Sequence, residues 1–133
     1  MVALNPKEWY GMAKPLEIVV VDDEEQITEL IKTFILLTSK DAQVYTFTNP
    51  LDARAFVASK AVHMLITDYK MPGMDGIELM ESTPSGVKKI LISGYISEIA
   101  EEKLSKMDAL FFEKPVPIRT LRKIILEQEA CLS

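Results

Sequence analysis

The chain has 133 residues, a formal net charge of -5 and 48% apolar residues, which suits one hydrophobic core of ordinary domain size. The acidic balance argues against direct binding of nucleic acid, whose phosphates select basic surfaces, and no run approaches the ~18 apolar residues of a membrane span. The one cysteine, Cys131, has no partner for an internal disulfide and no signal-peptide core precedes the domain, so a cytoplasmic location is expected.

Residues 1–16 hold two prolines, one glycine and no clear period. They read as an extension ahead of a single domain over residues 17–133, with Trp9 and Tyr10 as their large aromatic residues. The stretch from Glu17 to Val21 is β-branched, short and continuous, as in a strand buried on both faces. Ile27, Leu30, Ile31 and Phe34 then recur at helical spacing, behind Glu24 and Glu25 in a first turn that favours negative charge. Residues from Gln43 to Phe47 predict a second strand. Asn49-Pro50 predicts a cap followed by a proline at the first helical position, with a helix to about Lys60.

A third strand is expected from Val62 to Thr67, ending at Asp68. The loop Lys70-Met-Pro-Gly-Met-Asp-Gly76 is rich in turn residues, and Asp75-Gly76 reads as a turn and helix start. A short helix begins near Ile77 and stops before Pro84. Residues from Lys89 to Ser93 predict a fourth strand. Ile96, Ile99, Ala100, Leu104 and Met107 mark one face of a fourth helix. Residues from Ala109 to Glu113 predict a fifth strand, and Pro117 opens a last helix with Ile118, Leu121, Ile124 and Ile125 inward. His63 reads as structural or surface. Lys88, Lys89, Arg119, Arg122 and Lys123 read as solvated charges.

Five strand–helix units in series imply an α/β fold with helices on both faces of a parallel sheet. Right-handed crossovers narrow it to a doubly wound, flavodoxin-like sheet of order 2-1-3-4-5. Ligands in such sheets bind beyond the carboxyl ends of the strands. There the first strand delivers Asp22 and Asp23, the third Asp68, the fourth Ser93 and the fifth Lys114, followed by Pro115. These four strands are neighbours in the expected order. Carboxylates meeting at one edge call for a cation, and hard oxygen ligands select Mg²⁺, or Mn²⁺, over softer metals. Lys114 can neutralise a phosphoryl oxygen, Ser93 can donate to another, and Asp68 can act as a carboxylate nucleophile.

The run Val-Val-Val-Asp22-Asp23-Glu, then Thr67-Asp68-Tyr-Lys-Met-Pro72-Gly-Met-Asp-Gly76, Ser93-Gly94 and Lys114-Pro115 resembles the response regulator receiver domains of two-component signalling. The resemblance spans residues 17 to 126. It implies that Asp68 accepts a phosphoryl group. It implies that Asp23 binds Mg²⁺ directly, Asp22 largely through water, and the Lys70 backbone carbonyl completes the protein ligands. Ser93 and Phe111 match the switch hydroxyl and aromatic, Gly94 the small residue that leaves the phosphoryl group access. Lys70 and Tyr95 take the variable positions that tune phosphate loss, and a cis bond is expected at Lys114-Pro115. The stretch from Gly76 to Ser93 is shorter than the family usually has.

The resemblance implies a histidine kinase or phosphotransfer protein as donor. It implies a downstream protein or a second copy as target, met through the face of the fourth helix, fifth strand and fifth helix. The chain ends after the fifth helix, so a stand-alone regulator or an excised receiver without output domain is expected. A receiver-like adaptor working without phosphate is the first rival. An aspartyl-phosphate phosphatase is the second, disfavoured by Lys70 where a second acid would stand.

Overall fold

The structure, a computed structural model, describes residues 15–94 and 96–132. Trp9, Tyr10 and Tyr95 lie outside the described residues. In chain order the elements are β1 (Glu17–Val21), α1 (Glu25–Thr38), β2 (Gln43–Phe47), α2 (Pro50–Ser59), β3 (Met64–Thr67), α3 (Gly76–Glu81) and β4 (Lys88–Ser93). A 3₁₀ turn (Ile96–Glu98), α4 (Glu101–Ser105), β5 (Leu110–Glu113) and α5 (Ile118–Leu132) complete it. All neighbouring strands pair parallel, in the order β2-β1-β3-β4-β5. This is the expected doubly wound α/β sheet. Val21 pairs with both Phe47 and Thr67, and Thr67 with Leu91, so the strands end nearly level.

The pleat sends alternate side chains to opposite faces and splits the core into two layers. Ile18, Val20, Met64, Ile66, Ile90 and Ile92 pack with Ile31 and Ile35 of α1 and Leu121, Ile124 and Ile125 of α5. Val19, Val21, Leu65 and Leu91 pack with Ala53 and Val57 of α2 and Ile77, Leu79 and Met80 of α3. The central strands are covered on both sides, which is why their sequences are continuous apolar runs. Leu16, one residue before β1, is buried in the first layer. The Ser39 hydroxyl donates to Glu129, tying the end of α1 to α5.

Local signals acted as the residues require. Asn49 accepts from the Leu51 N–H at 2.9 Å, with Pro50 leading α2. Asp75 accepts from the Glu78 N–H at 2.8 Å while Glu78 accepts from the Asp75 N–H at 3.2 Å, a reciprocal capping box. Gly73 takes φ +88°, a conformation that side chains strain to reach.

Three expectations need correction. The fourth helix is not continuous: a 3₁₀ turn leaves Ile96 half-buried and Ile99, whose N–H donates to the Ile96 carbonyl, buried, and Ala100 is exposed and extended (φ -56°, ψ 128°), so α4 starts afresh at Glu101. Ile118 is exposed, because α5 starts at the carboxyl edge where the strands it would cover have ended. Lys89 is buried, since β4 is a central strand with apolar layers on both sides. Its aliphatic stem is covered and its Nζ donates to the Pro84 carbonyl at 3.0 Å.

At the amino end of the sheet, Glu17 Oε1 meets Lys60 Nζ at 2.9 Å and accepts from the Tyr45 hydroxyl at 2.9 Å. The Glu17 N–H donates to His63 Nδ1 at 2.9 Å, which accounts for His63 as a structural residue. Burial works against the Glu17 charge, but Lys60 and the Tyr45 hydroxyl outweigh it and hold the carboxyl below its ordinary 4.5. Because the folded carboxyl is the stronger acid, its contribution is present above 4.5 and is lost as pH falls through the folded value. Glu17→Gln is therefore expected to lower stability at pH 7, with the gap to wild type closing below about pH 4. Urea titrations at both pH values measure this.

Candidate functional site

The site grows from the carboxyl ends of β1, β3, β4 and β5. The ladder runs one residue past β3: the Asp68 N–H donates to the Val21 carbonyl at 2.9 Å, and the Asp22 N–H to the Phe47 carbonyl at 3.1 Å. These bonds hold both acids level at the sheet edge. Asp22 is 2% exposed and Asp68 8%, whereas Asp23 is exposed. Carboxylate oxygens of Asp22, Asp23 and Asp68 lie within 4.8 Å of one another.

Asp22 Oδ1 accepts from the Glu24 N–H at 2.9 Å, which turns its other oxygen toward Lys114. Lys114 Nζ stands 3.2 Å from Asp22 Oδ2 and 3.5 Å from Asp68 Oδ1. The Tyr69 N–H also donates to Asp68 Oδ1, at 2.9 Å. Lys114 is placed by its own N–H, which donates to the Ser93 carbonyl at 2.9 Å, so β5 and β4 deliver it together. The Lys114-Pro115 bond is cis, as the resemblance implied. Beneath the charges, Ile27, Ile31, Ile66, Ile92 and Val116 line a small apolar cavity.

Burial, and then the Asp22 charge, push the Asp68 carboxyl above its ordinary value; the Tyr69 N–H and Lys114 pull it back only in part. Burial opposes the Lys114 charge as well, but Asp68 and Asp22 outweigh it and hold the ammonium above its ordinary value. Three carboxylates, two of them buried, gather beside one ammonium that meets Asp22 and Asp68, an excess of two formal negative charges when all are ionised. That excess, together with an all-oxygen donor set, fits a divalent hard cation.

Ser93 is fully buried at the end of β4. Phe111 is half-buried beside Leu91, packed with the α2–α4 layer. Gly94 is exposed, and a side chain there would meet nothing within 4 Å. Lys70 is exposed and its Nζ pairs with Glu98 Oε2 at 3.2 Å, joining the loop after β3 to the turn after β4. The structure thus brings together Asp22, Asp23, Asp68 and Lys114. Ser93 shares the sheet edge with them, and Lys70 and Phe111 stand at its border.

Two residues quoted in the motif, Gly76 and Thr67, had no role at the site in the sequence reading. A Cβ at Gly76 would lie 2.1 Å from the Asp68 carbonyl oxygen, so α3 starts directly against the backbone of that acid. The Thr67 hydroxyl donates to the same carbonyl at 2.8 Å. Asp-Gly announces a helix start, but no local pattern reports a contact across eight residues.

The family model described as the response regulator receiver domain matches residues 18–126. The chain belongs to that family. Among relatives of this receiver domain, the cyclic di-GMP phosphodiesterase response regulator RpfG of Xanthomonas campestris is 33% identical over 113 residues, covering 80% of this chain and 30% of RpfG. Sporulation initiation phosphotransferase F of Bacillus subtilis is 29% identical over 115 residues, covering 82% of this chain and 90% of that protein. A solved receiver domain from Methanospirillum hungatei is 26% identical with a TM-score of 0.72, covering 88% of this chain and 98% of that one. Thermotoga maritima TrrA, solved in complex with Mg²⁺-BeF, shares the fold at 24% identity and a TM-score of 0.72, covering 85% of this chain and 98% of that one. The receiver domain spans about three-tenths of the length of RpfG. Among the described residues no helix is long and apolar enough to cross a membrane.

Proposed function

We propose that this receiver domain accepts a phosphoryl group on Asp68 from a histidine kinase or phosphotransfer protein and thereby switches a partner-binding face. The observation that carries the proposal is the meeting of Asp22, Asp23 and Asp68 within 4.8 Å with Lys114 between two of them. Asp22, Asp23, Asp68 and the Lys70 carbonyl would hold Mg²⁺, with Mn²⁺ of the same ligand class. When bound, the ion neutralises charge on the phosphoryl oxygens.

In the transfer, an Asp68 carboxylate oxygen bonds to phosphorus as the donor's nitrogen–phosphorus bond breaks. The nitrogen keeps the electron pair and takes a proton. Lys114 offsets charge on one phosphoryl oxygen and the Ser93 hydroxyl donates to another. A raised Lys114 pKa keeps that ammonium charged at neutral pH. Movement of Ser93 toward the phosphoryl group would let Phe111 follow, since both lie on the α2–α4 side of the sheet, and would change the α4–β5–α5 face. That change favours a downstream protein or a second copy only if the altered face binds it more tightly. The domain on this reading is a signalling phosphoacceptor, with slow loss of phosphate and no independent turnover; Lys70 and the residue at 95 tune that loss.

With acetyl phosphate and Mg²⁺, the domain should gain one phosphoryl group on the peptide that contains Asp68, and EDTA should abolish the gain. Mass spectrometry of the trapped ester reads this directly. Absence of incorporation, or label on another peptide, overturns the proposal.

A further inference from the structure

Three consecutive peptide units at the end of β3 are each held. The Asp68 N–H donates to the Val21 carbonyl at 2.9 Å, and the Tyr69 carbonyl accepts from the Gly76 N–H at 2.8 Å. The unit between them consists of the Asp68 carbonyl and the Tyr69 N–H. Because a peptide unit is planar, a bond that fixes its oxygen also sets the direction of its N–H. The Thr67 hydroxyl, on a residue 1% exposed, donates to that oxygen at 2.8 Å. The N–H at the other end donates to Asp68 Oδ1 at 2.9 Å. Lys114 Nζ stands 3.5 Å from the same carboxylate oxygen. Both contacts therefore fall on Oδ1, in a side chain whose last torsion is intrinsically broad.

We propose that Thr67 is a positioning residue that, through the peptide unit it pins, fixes the Asp68 carboxylate so that Oδ2 is the oxygen that bonds to phosphorus. This rests on the phosphoacceptor reading of Asp68. The hydroxyl acts at one remove: it fixes the peptide unit, the peptide unit aims its N–H, and the N–H holds Oδ1. A nucleophilic oxygen kept in line with the breaking bond gains over one that swings, because a misplacement of about 1 Å can cost ~100-fold. Without the hydroxyl the unit can tilt and Oδ1 loses its fixed donor. A Cβ at Gly76 would lie 2.1 Å from the Asp68 carbonyl oxygen, so α3 limits the tilt from its own side and the loss is partial.

The test measures single-turnover incorporation from acetyl phosphate with Mg²⁺. Asp68 Oδ2 bonds to phosphorus while the bond from the acetate oxygen to phosphorus breaks, and acetate leaves with the electron pair. Thr67→Val keeps the branched shape without the hydroxyl and should lower the limiting rate about tenfold, with the half-saturating donor concentration unchanged. Thr67→Ala should match it. Thr67→Ser keeps the hydroxyl and should restore the wild-type rate, although the lost methyl lowers its melting temperature. The Tyr69 amide proton resonance should move upfield in Thr67→Val and Thr67→Ala and hold its place in Thr67→Ser, a pattern that lost stability alone does not produce. A wild-type rate in Thr67→Val overturns the proposal; if that variant does not fold, a wild-type rate in Thr67→Ala does so. A fall in Thr67→Ser as large as in Thr67→Ala also overturns it, as does an unmoved Tyr69 resonance in a slowed variant. No incorporation in any protein, wild type included, overturns the phosphoacceptor reading and this role with it.

Discussion

Asp68→Asn is expected to reduce Mg²⁺-dependent phosphoryl incorporation to background while making the metal-free protein more stable. Both effects follow from one environment. Asp68 is buried beside Asp22, and its pKa is raised because its charge is poorly solvated there. For an acid whose folded pKa is raised, ionisation costs stability as pH climbs past the unfolded value, and the cost is complete above the folded one. At pH 7 without metal, the amide removes that cost and keeps the shape, for a gain of about 1 kcal/mol. With Mg²⁺ at tenfold its dissociation constant the wild type gains about 1.4 kcal/mol by linkage. The variant, with one carboxylate fewer, should lose most of that increment. Chemical denaturation with and without Mg²⁺ separates the two terms. Equal phosphoryl incorporation in Asp68→Asn would point to another acceptor and revive an adaptor that works without phosphate on Asp68.

Gly76→Ala should destabilise the domain by about 3 kcal/mol. In an open helix the same change is worth up to ~1 kcal/mol in the opposite direction, so sign as well as size tests the contact. The new Cβ would lie 2.1 Å from the Asp68 carbonyl oxygen, 3.0 Å from its carbon and 3.2 Å from Leu91 Cδ1. The carbonyl cannot yield cheaply: the Thr67 hydroxyl holds it, and the Gly76 N–H is bonded to the Tyr69 carbonyl at 2.8 Å. Either α3 withdraws or the backbone of Asp68 shifts, and the second outcome also lowers phosphoryl incorporation. Gly86→Ala is the control, because a Cβ there meets nothing within 4 Å; it should fall within ~0.5 kcal/mol of wild type. The measurement is the denaturant midpoint at unchanged slope. A Gly76→Ala protein as stable as wild type would show that the loop gives way freely.

The sheet was legible in the chain because buried parallel strands leave a strong trace: Ile18 to Val21 and Met64 to Ile66 are apolar without interruption. The acids were legible because each follows such a run, and strand order then brings them together. Contacts that depend on three dimensions were not. The spacing of Ile96, Ile99 and Leu104 suits a helix, yet burial of Ile99 and the extended backbone of Ala100 divide it. Lys89 looks like a surface charge until its strand proves central. Ile118 keeps helical phase with Leu121 but has no strand beneath it. Glu98 sits between Ser97 and Ile99 and carries no local mark of its distant partner Lys70.

The alternation of side chains along the strands gives the two walls of the site separate tenants. Asp68 follows Met64 and Ile66 in phase and inclines to the α1 and α5 wall, where Asp22 and Lys114 stand over the apolar cavity. Ser93 follows Leu91 in phase and inclines to the wall of α2, α3 and α4, where Phe111 packs. A group bonded to Asp68 and touching both Lys114 and Ser93 would stitch one wall to the other across the sheet's edge. Chemical charging and its mechanical read-out would then be housed on opposite sides of a single layer of strands, and selection could retune either without rebuilding its counterpart.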